Sequence, residues 1–213
     1  MSELTDLDHV TLSQRPLAVC DVDDVVLEFL RPFEAYLESL GHRLLPRSFR
    51  LHGNIISRTD ERALEDGLVT DILHAFFENQ ITWQKPFGSS VESLKRIGQS
   101  ADVVFLTAMP PRYAQHRRAL LDGLGLDFPL VATESPKGPV VNRLHGDRAL
   151  PVAFIDDMAH NLHSVGEAVP HCLLVQLMPE SEIHRHAPKP GPNVVRAMDW
   201  EDAEQRLLGH FSA

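Results

Sequence analysis

Short apolar runs recur along the chain, and the segments between them carry apolar residues at helical spacing. Each run is aliphatic and continuous instead of alternating with polar residues, a pattern typical of parallel strands that are covered on both faces. The predicted strands are residues 17–20, 103–106, 130–132, 152–155 and 173–175, with a weaker candidate at 194–197. Strands that alternate with helices indicate an α/β protein with a layered parallel sheet and right-handed crossovers.

Helices are predicted between the strands from their start and stop signals. Ser89 and Glu92 have the spacing of a capping box, and Asp199 is a suitable N-cap for a helix near the C-terminus. The predicted helices are one that follows Ser89, one that follows Pro110-Pro111 and ends near Gly123 or Gly125, one over residues 159–168 and one over residues 199–208.

One long segment interrupts this alternation. More than 80 residues, Asp21 to Asp102, separate the first predicted strand from the second, far more than one crossover requires. Two sets of residues within it each share a helical face: Phe33, Tyr36, Leu37 and Leu40, then Ile72, Leu73, Phe76 and Phe77. We therefore predict a small helical insert over residues 30–85, which forms a lid beside an α/β core of residues 1–29 and 86–213.

The composition is that of an ordinary globular protein. The chain has 213 residues, 43% hydrophobic and 23% charged, which excludes wholesale disorder and fibrous structure. No apolar run approaches the roughly 18 to 20 residues needed to span a bilayer, and residues 1–10 are acidic and lack a signal-peptide core. Cys20 and Cys172 lie in apolar runs and are interpreted as buried hydrophobic residues rather than a disulfide. We expect a cytoplasmic protein without a membrane partner.

The charge balance limits the possible partners. Lys and Arg total 20 against 30 Asp and Glu, a formal net charge of −10. Non-specific binding to a nucleic acid polymer requires a basic surface, so this class of partner is disfavoured. A small anion is compatible with the composition, because it needs only a few local positive groups or a metal ion.

Reactive side chains follow four of the predicted strands. Ligands of parallel α/β sheets collect at the carboxyl ends of the strands. The candidates there are Asp21, Asp23 and Asp24 after the first strand, Thr107 after the second, Lys137 a few residues beyond the third, and Asp156 and Asp157 after the fourth. The convergence of acidic groups, a hydroxyl and an amine on one edge is the main sign of a functional site.

Each acidic position also has a purely structural explanation. An Asp-x-Asp pair is expected about once by chance in such a chain, and Asp6-Leu7-Asp8 has this spacing with no strand before it. Asp23 or Asp24 alone could be a turn residue or a helix N-cap. Of Asp156 and Asp157, one could cap the following helix while the other faces solvent.

Taken together, the carboxylates favour a metal ion. Two adjacent carboxylates after a buried strand repel each other unless a cation lies near them, and Mg²⁺ bound through carboxylates and water would relieve that repulsion. Taken singly, Thr107 and Lys137 do not indicate a function. Beside a metal they would form a cradle for a phosphoryl group.

The loop-like tract over residues 179–193 offers a second, weaker metal candidate. His184 and His186 lie close together in it. Histidines in a Pro-rich loop are usually solvated, so we expect these two to be exposed and to bind no metal.

The ordered set of motifs resembles the haloacid dehalogenase-like (HAD) superfamily of phosphohydrolases, whose members carry four motifs at the ends of successive strands. The matching segments are Leu17-Ala18-Val19-Cys20-Asp21-Val22-Asp23-Asp24-Val25, Val103-Val104-Phe105-Leu106-Thr107, Ser135-Pro136-Lys137-Gly138 and Val152-Ala153-Phe154-Ile155-Asp156-Asp157. The order and the gaps agree, with 86 residues from Asp21 to Thr107, 30 more to Lys137 and 19 more to Asp156. The resemblance covers residues 16–178.

The resemblance implies a three-layer Rossmann-like parallel sheet with a small α-helical cap after the first motif. It also implies a Mg²⁺-dependent phosphatase that hydrolyses a small phosphate monoester through an aspartyl-phosphate intermediate. The residue roles carried over are Asp21 as nucleophile, Asp23 as general acid and base, Thr107 and Lys137 as ligands of the phosphoryl group, and Asp21, the backbone carbonyl of Asp23, Asp156 and Asp157 as the metal site. The insert, with its Phe, Tyr, Arg and His residues and Trp83, would line the substrate pocket.

Asp24 departs from the family pattern, because it occupies a position often filled by Gly where the chain turns sharply. Asp tolerates unusual turn conformations, although a third carboxylate could alter metal affinity or substrate choice. Dehalogenation is disfavoured, because dehalogenase members lack the acid that Asp23 supplies and the metal. The open alternatives are a phosphomutase, a 5′-(deoxy)nucleotidase-like enzyme and a non-catalytic binding module.

Overall fold

The computed structural model describes residues 5–213, which form an α/β fold with a six-stranded and a two-stranded sheet. The strands are β1 (Leu17–Cys20), β2 (His42–Leu44), β3 (Ile55–Ser57), β4 (Asp102–Thr107), β5 (Leu130–Ala132), β6 (Val152–Asp156), β7 (Leu173–Gln176) and β8 (Val194–Arg196). The helices are α1 (Leu30–Ser39), α2 (Asp66–Glu78), α3 (Gln80–Trp83), α4 (Ser90–Ile97), α5 (Ala114–Gly123), α6 (Lys137–His145), α7 (Ala159–Ala168) and α8 (Trp200–Phe211). Short 3-10 turns lie at Pro111–Tyr113 and His184–His186. Residues 1–4 of the predicted core lie outside the described residues.

The six-stranded sheet is parallel throughout, in the order β5-β4-β1-β6-β7-β8. β1 is a central strand, and its Leu17 lies opposite both Asp102 of β4 and Val152 of β6. The amide of Asp21 extends the pairing by donating to the carbonyl of Ile155 at 2.9 Å. Because these strands run in one direction and in register, the residues that follow β1, β4 and β6 emerge at the same edge of the sheet.

Helices cover both faces of this sheet, which is therefore the middle of three layers. Successive residues of β1 point to opposite faces. Ala18 and Cys20 join an apolar core with α4, α5 and α8, whereas Leu17 and Val19 join a second core with α6 and α7. The predicted three-layer, Rossmann-like parallel sheet is confirmed.

The segment between β1 and β4 contains α1 to α3 and the antiparallel pair β2–β3. α1 and α2 enclose a separate apolar cluster, in which the buried rings of Phe33 and Phe76 meet edge to face with centroids 5.3 Å apart. Met109 and Tyr113, which follow β4, belong to the same cluster, so the segment packs on the carboxyl edge of the sheet. Strands as short as β2 and β3 escape prediction, because three residues are too few to show an alternating pattern.

One of the two predicted helix caps forms. Asp199 has an extended backbone, and its side chain accepts a hydrogen bond from the amide of Asp202 at 2.8 Å. Ser89 precedes α4, but within residues 5–213 its side chain makes no capping hydrogen bond, so the predicted capping box is wrong. Its backbone angles, φ −89° and ψ 26°, explain the difference, because an N-cap side chain reaches the helix amides from an extended backbone.

Two predictions concern the state of the cysteines and whether any helix could span a membrane. Cys20 and Cys172 are buried free thiols, as their apolar surroundings predict. Across residues 5–213, no helix has the length and apolar character needed to cross a membrane.

Candidate active site

Three carboxylates and one ammonium group meet at the carboxyl edge of the sheet. One carboxylate oxygen from each of Asp21, Asp156 and Asp157 lies within 4.8 Å of the others. Lys137 Nζ lies 2.6 Å from Asp21 Oδ1 and 2.6 Å from Asp156 Oδ2. All four side chains are buried. Residues that are far apart in the sequence are thus brought together at one point, which we call the carboxylate cluster.

The carboxylate cluster is held in place by the register of the strands and by one glycine. β1 and β6 are neighbours that end together, so Asp21 and Asp156 stand side by side. Lys137 begins α6, which approaches α7 so closely that a Cβ added to Gly138 would lie 2.1 Å from the backbone oxygen of Ser164. A larger residue at this position would push α6 away. Gly138 therefore sets the distance at which Lys137 reaches the carboxylates.

Hydrogen bonds fix the orientation of Asp156. Its Oδ1 accepts from the amide of Met158 at 2.7 Å, and Asn161 Nδ2 lies 3.1 Å from both carboxylate oxygens. Gln176 Nε2 donates to the backbone carbonyl of Asp157 at 2.9 Å. The bonded amide belongs to Met158, which precedes α7, and α7 has no side-chain cap among the described residues, so the interpretation of one Asp as the helix cap is wrong. Asp157 is only 6% exposed, so the alternative in which one of the pair faces solvent is wrong.

Burial and mutual repulsion shift the pKa values of the cluster. Burial raises the pKa of Asp21 to about 7; Lys137 opposes this rise, and Asp156 adds to it. The pKa of Asp157 is raised well above its usual value by burial and then by the neighbouring carboxylates. Burial disfavours the charged form of Lys137, but the adjacent carboxylates outweigh it and raise its pKa. The ammonium group is therefore charged at neutral pH.

The donor set of the cluster fits a hard divalent cation. Three carboxylates against one ammonium group would leave surplus negative charge in this buried site if all three were ionised, and the raised pKa values of Asp21 and Asp157 reflect the cost of that state without a cation. Carboxylate oxygens are ligands that Mg²⁺ prefers. A bound cation would favour the ionised forms of Asp21 and Asp157 and so offset the burial and the repulsion that raise their pKa values.

Asp23 lies beside the cluster and is held by three side chains. Arg117 Nη2 and Gln84 Nε2 each donate to its Oδ1 at 2.9 Å. Thr107 Oγ1 donates to its Oδ2 at 3.4 Å. The side chain of Asp23 is 21% exposed and contributes to the wall of a cavity described below.

Arg117 is a component of the site that the sequence does not reveal. It is fully buried, its Nε donates to Gln80 Oε1, and its Nη2 also donates to Gln84 Oε1 at 3.2 Å. Within the described part of the chain, its Nη1 has no hydrogen-bond partner. In the sequence it stands beside Arg118 in a charged helix, where arginine is usually solvated, so no pattern signals its burial.

Thr107 lies where the sequence predicts, at the end of β4, and is fully buried. Its Oγ1 accepts a hydrogen bond from the amide of Met109 at 3.2 Å and donates to Asp23. The Thr107 hydroxyl is therefore linked to the site by its hydrogen bond to Asp23.

Asp24 turns away from the carboxylate cluster. Its φ of 57° is in the left-handed region, in agreement with the sharp turn expected there and with the tolerance of Asp for it. Its Oδ1 accepts hydrogen bonds from the amides of Phe29 at 2.8 Å and Leu30 at 3.2 Å, at the start of α1. The turn interpretation thus fits Asp24; the N-cap residue of α1 is Phe29, and the Asp24 carboxylate binds the backbone amides at the start of that helix.

His184 contradicts the prediction of a solvated loop histidine, whereas His186 is exposed as predicted. His184 is 4% exposed, with Nδ1 2.7 Å from Ser181 Oγ and Nε2 3.5 Å from Asp24 Oδ2. The ring of Phe49 lies 5.5 Å away, centroid to centroid. The solvated interpretation is wrong because the tract over residues 179–193 folds back over the turn after β1 and buries this ring.

A cavity of about 560 Å³ opens above Asp21, Asp23 and Asp157. One wall belongs to the 30–85 segment and includes Phe49, Arg50, Leu51, His52, Thr70, Leu73, His74 and Phe77. Phenylalanine, arginine and histidine residues of the segment thus line a pocket, as predicted. Trp83 has a different place: it packs against Tyr36, with ring centroids 5.3 Å apart.

Solved structures similar to this one are described as haloacid dehalogenase-like proteins or as phosphatases, and they include a "putative beta-phosphoglucomutase" from Thermotoga maritima. A "predicted phosphoglycolate phosphatase" from Haemophilus somnus matches with a TM-score of 0.60 and 15% identity, over 92% of this chain and 100% of that chain. A haloacid dehalogenase-like protein from Agrobacterium tumefaciens matches with a TM-score of 0.60 and 13% identity, over 91% of this chain and 97% of that chain. A haloacid dehalogenase-like family hydrolase from Xanthomonas campestris matches with a TM-score of 0.59 and 13% identity, over 94% of this chain and 96% of that chain.

The chain therefore has the fold of the haloacid dehalogenase-like hydrolases. No family model and no curated protein matches its sequence. The resemblance inferred from the four motifs is confirmed at the level of the fold.

Proposed function

We propose that the protein is a Mg²⁺-dependent phosphatase that hydrolyses a small phosphate monoester through an aspartyl-phosphate intermediate. The observation that carries the proposal is the placement of Asp21. Its carboxylate lies at the carboxyl edge of a parallel sheet, beside Lys137 and the paired acids, at the base of an open cavity. The fold and the order of the four motifs support the same assignment.

Asp21 is the nucleophile in this proposal. One of its oxygens attacks phosphorus, the bond from phosphorus to the ester oxygen breaks, and the alcohol departs. Asp23 gives the departing oxygen a proton and then takes one from the water that attacks the aspartyl-phosphate. That second attack releases inorganic phosphate and restores the Asp21 carboxylate.

The surrounding groups bind the phosphoryl oxygens and balance their charge. Lys137 supplies a buried positive charge, and Thr107 supplies a hydroxyl at the neighbouring strand end. Asp21, the backbone carbonyl of Asp23, Asp156 and Asp157 would hold Mg²⁺, which supplies charge neutralisation between the carboxylates and the anionic substrate.

In this proposal, residues 30–85 are a cap on a core of residues 1–29 and 86–213. The apolar cluster built mainly by α1 and α2 and the segment's contribution to the cavity wall support this division. A cap that covers the reacting groups limits the access of bulk water and contacts the organic part of the substrate.

The direct test is hydrolysis of p-nitrophenyl phosphate with Mg²⁺, with EDTA and with two matched variants. We expect EDTA to abolish turnover and Asp21→Asn to lower kcat by at least about 10³-fold. Asp8→Asn is the matched control, since Asp8 belongs to the other Asp-x-Asp pair and is exposed. Turnover that survives Asp21→Asn would contradict the nucleophile assignment, and no turnover across a broad panel of phosphate esters would favour a non-catalytic binding module.

A further inference from the structure

The wall of the cavity that faces the carboxylate cluster is largely apolar. Phe49 and Leu51 from the loop before β3, Leu73 and Phe77 from α2, and Phe29 from the turn before α1 all line it. Phe29 and Phe77 lie 6.0 Å apart between ring centroids, and Phe29 also meets Phe76 edge to face. These aromatic contacts hold the wall in shape before any ligand binds.

Of the four histidines that line the cavity in the described structure, His52, His74 and His184 have partners within the protein, and His160 is exposed. His52 Nε2 lies 3.1 Å from Thr70 Oγ1, and Arg112 Nη2 lies 2.7 Å from His74 Nδ1. His184 is paired with Asp24 and Ser181, as described above. Recognition of a sugar or other polyol requires several polar groups fixed toward the ligand. His52, His74 and His184 instead bind other groups of the protein.

Permanent positive charge is also scarce around the organic part of the substrate. Among the described residues that line the cavity, Arg50 is the one arginine or lysine, and it is exposed at the mouth. The buried Lys137 is engaged by Asp21 and Asp156 at the reacting end. A second carboxylate or phosphate on the substrate would therefore find little to neutralise it deep in the cavity.

We propose that the substrate is a phosphate monoester of an apolar alcohol whose aromatic or aliphatic body packs against Phe29, Phe49, Leu73 and Phe77. This inference rests on the proposed phosphatase function and names its substrate class. The cavity volume, about 560 Å³, is within the range of small-molecule sites and accommodates a phosphoryl group with a phenylalkyl-sized body. Burying that body against the wall adds binding energy that a polyol in the same place would not gain.

The test compares primary alkyl esters, so that leaving groups are similar and differences in kcat/KM report contacts of the organic part. The probes are 2-phenylethyl phosphate, ethyl phosphate, glucose 6-phosphate and thymidine 5′-monophosphate. We expect 2-phenylethyl phosphate to exceed each of the others by about tenfold or more in kcat/KM. A preference for glucose 6-phosphate or for the nucleotide would overturn the inference while leaving the phosphatase function intact.

Two variants separate the cavity wall from the rest of the protein. Leu73→Asn places an amide in the wall and is expected to remove most of the preference for the phenylethyl ester over the ethyl ester. Leu68→Asn is the matched control on the same helix, since Leu68 is 46% exposed and does not line the cavity in the described structure. Phe49→Ser tests the opposite side of the wall without changing α2. Retention of the full preference in both wall variants would overturn the inference, and failure of the wild-type protein to hydrolyse any ester would remove the function on which it rests.

Discussion

At the scale of single residues, the buried ion pair between Arg117 and Asp23 is the contact with the clearest energetic consequence. Arg117 is fully enclosed and also holds Gln80 and Gln84, which belong to the end of the 30–85 segment. One side chain thus links the proposed acid–base group to α3 and to Gln84, which follows it.

Arg117→Met is expected to lower the free energy of unfolding by about 3 kcal/mol, because it leaves a carboxylate and two amides without their partner. Urea denaturation measures this change. Adding Asp23→Asn to the variant should restore part of the loss, since the uncompensated charge is then gone. If the two substitutions are simply additive, the ion pair does not contribute as the structure indicates.

The residue scale also shows what a sequence can and cannot predict about a site. Asp21, Thr107, Lys137, Asp156 and Asp157 are predictable because each follows a strand whose apolar run is recognisable. Arg117, Gln84 and His184 are not, because their burial depends on how helices and loops pack, and the segments around them look solvent-exposed.

At the scale of elements, the close approach of α6 and α7 has a direct consequence for the site. An added Cβ at Gly138 would meet the backbone of Ser164, which cannot move without moving α7. Gly138→Ala is expected to destabilise the protein by about 2 kcal/mol, as overpacking does, and to lower kcat because Lys137 moves with α6. Thermal unfolding and p-nitrophenyl phosphate hydrolysis measure the two effects.

Gly67→Ala is the matched control for this substitution. Gly67 lies in the first turn of α2, and within the described structure a Cβ there would meet no atom within 4 Å. Alanine in a helix is favoured over glycine by up to about 1 kcal/mol, so this variant should be as stable as the wild type or slightly more stable. Equal behaviour of the two variants would contradict the packing role of Gly138.

The contact between α4 and α8 supplies a pH dependence. Arg96 Nε and Nη2 donate to the two carboxylate oxygens of Glu204 at 2.7 and 2.6 Å, and this hydrogen bonding lowers the pKa of Glu204 although partial burial opposes it. A carboxyl whose pKa is lower in the folded state stabilises the fold above its unfolded pKa of about 4.3. The contribution is lost as the pH falls through the folded pKa.

Glu204→Gln should therefore unfold at a lower urea concentration than the wild type at pH 7. The difference between the two should shrink as the pH is lowered below 4, because the wild-type carboxyl then becomes protonated as well. The effect is expected to be modest, since Arg96 is half exposed and solvent screens the pair. A difference that grows on acidification would show that the charge of Glu204 is not the cause.

At the scale of the whole molecule, the six-stranded sheet is more predictable than the segment over residues 30–85. The strands β1 and β4 to β7 are recognisable because burial on both faces forces continuous aliphatic runs. β8 lies at the edge of the sheet, ends in an exposed Arg196 and shows a weaker signal. The segment over residues 30–85 is recognisable only as an insert, since the three-residue strands β2 and β3 carry too few positions to show a pattern. Its cavity wall depends on how α2 and the loop before β3 face the core, which no local pattern encodes.

A further prediction at this scale concerns the binding of Mg²⁺ to the carboxylate cluster. Because Mg²⁺ would bind the folded state alone, saturating Mg²⁺ should raise the melting temperature of metal-free protein in proportion to ln(1 + [Mg²⁺]/Kd). Asp156→Asn should weaken this response, whereas Asp8→Asn should leave it unchanged. An unaltered response in Asp156→Asn would place the binding of Mg²⁺ elsewhere on the protein.

The strand order also bears on how the chain is made. Within this chain β1 is synthesised well before its partners β4 and β6. Contacts between positions so distant in the chain form slowly, and an unpaired apolar strand is a target for aggregation until they do. We expect newly synthesised β1 to depend on chaperones until translation has passed β6.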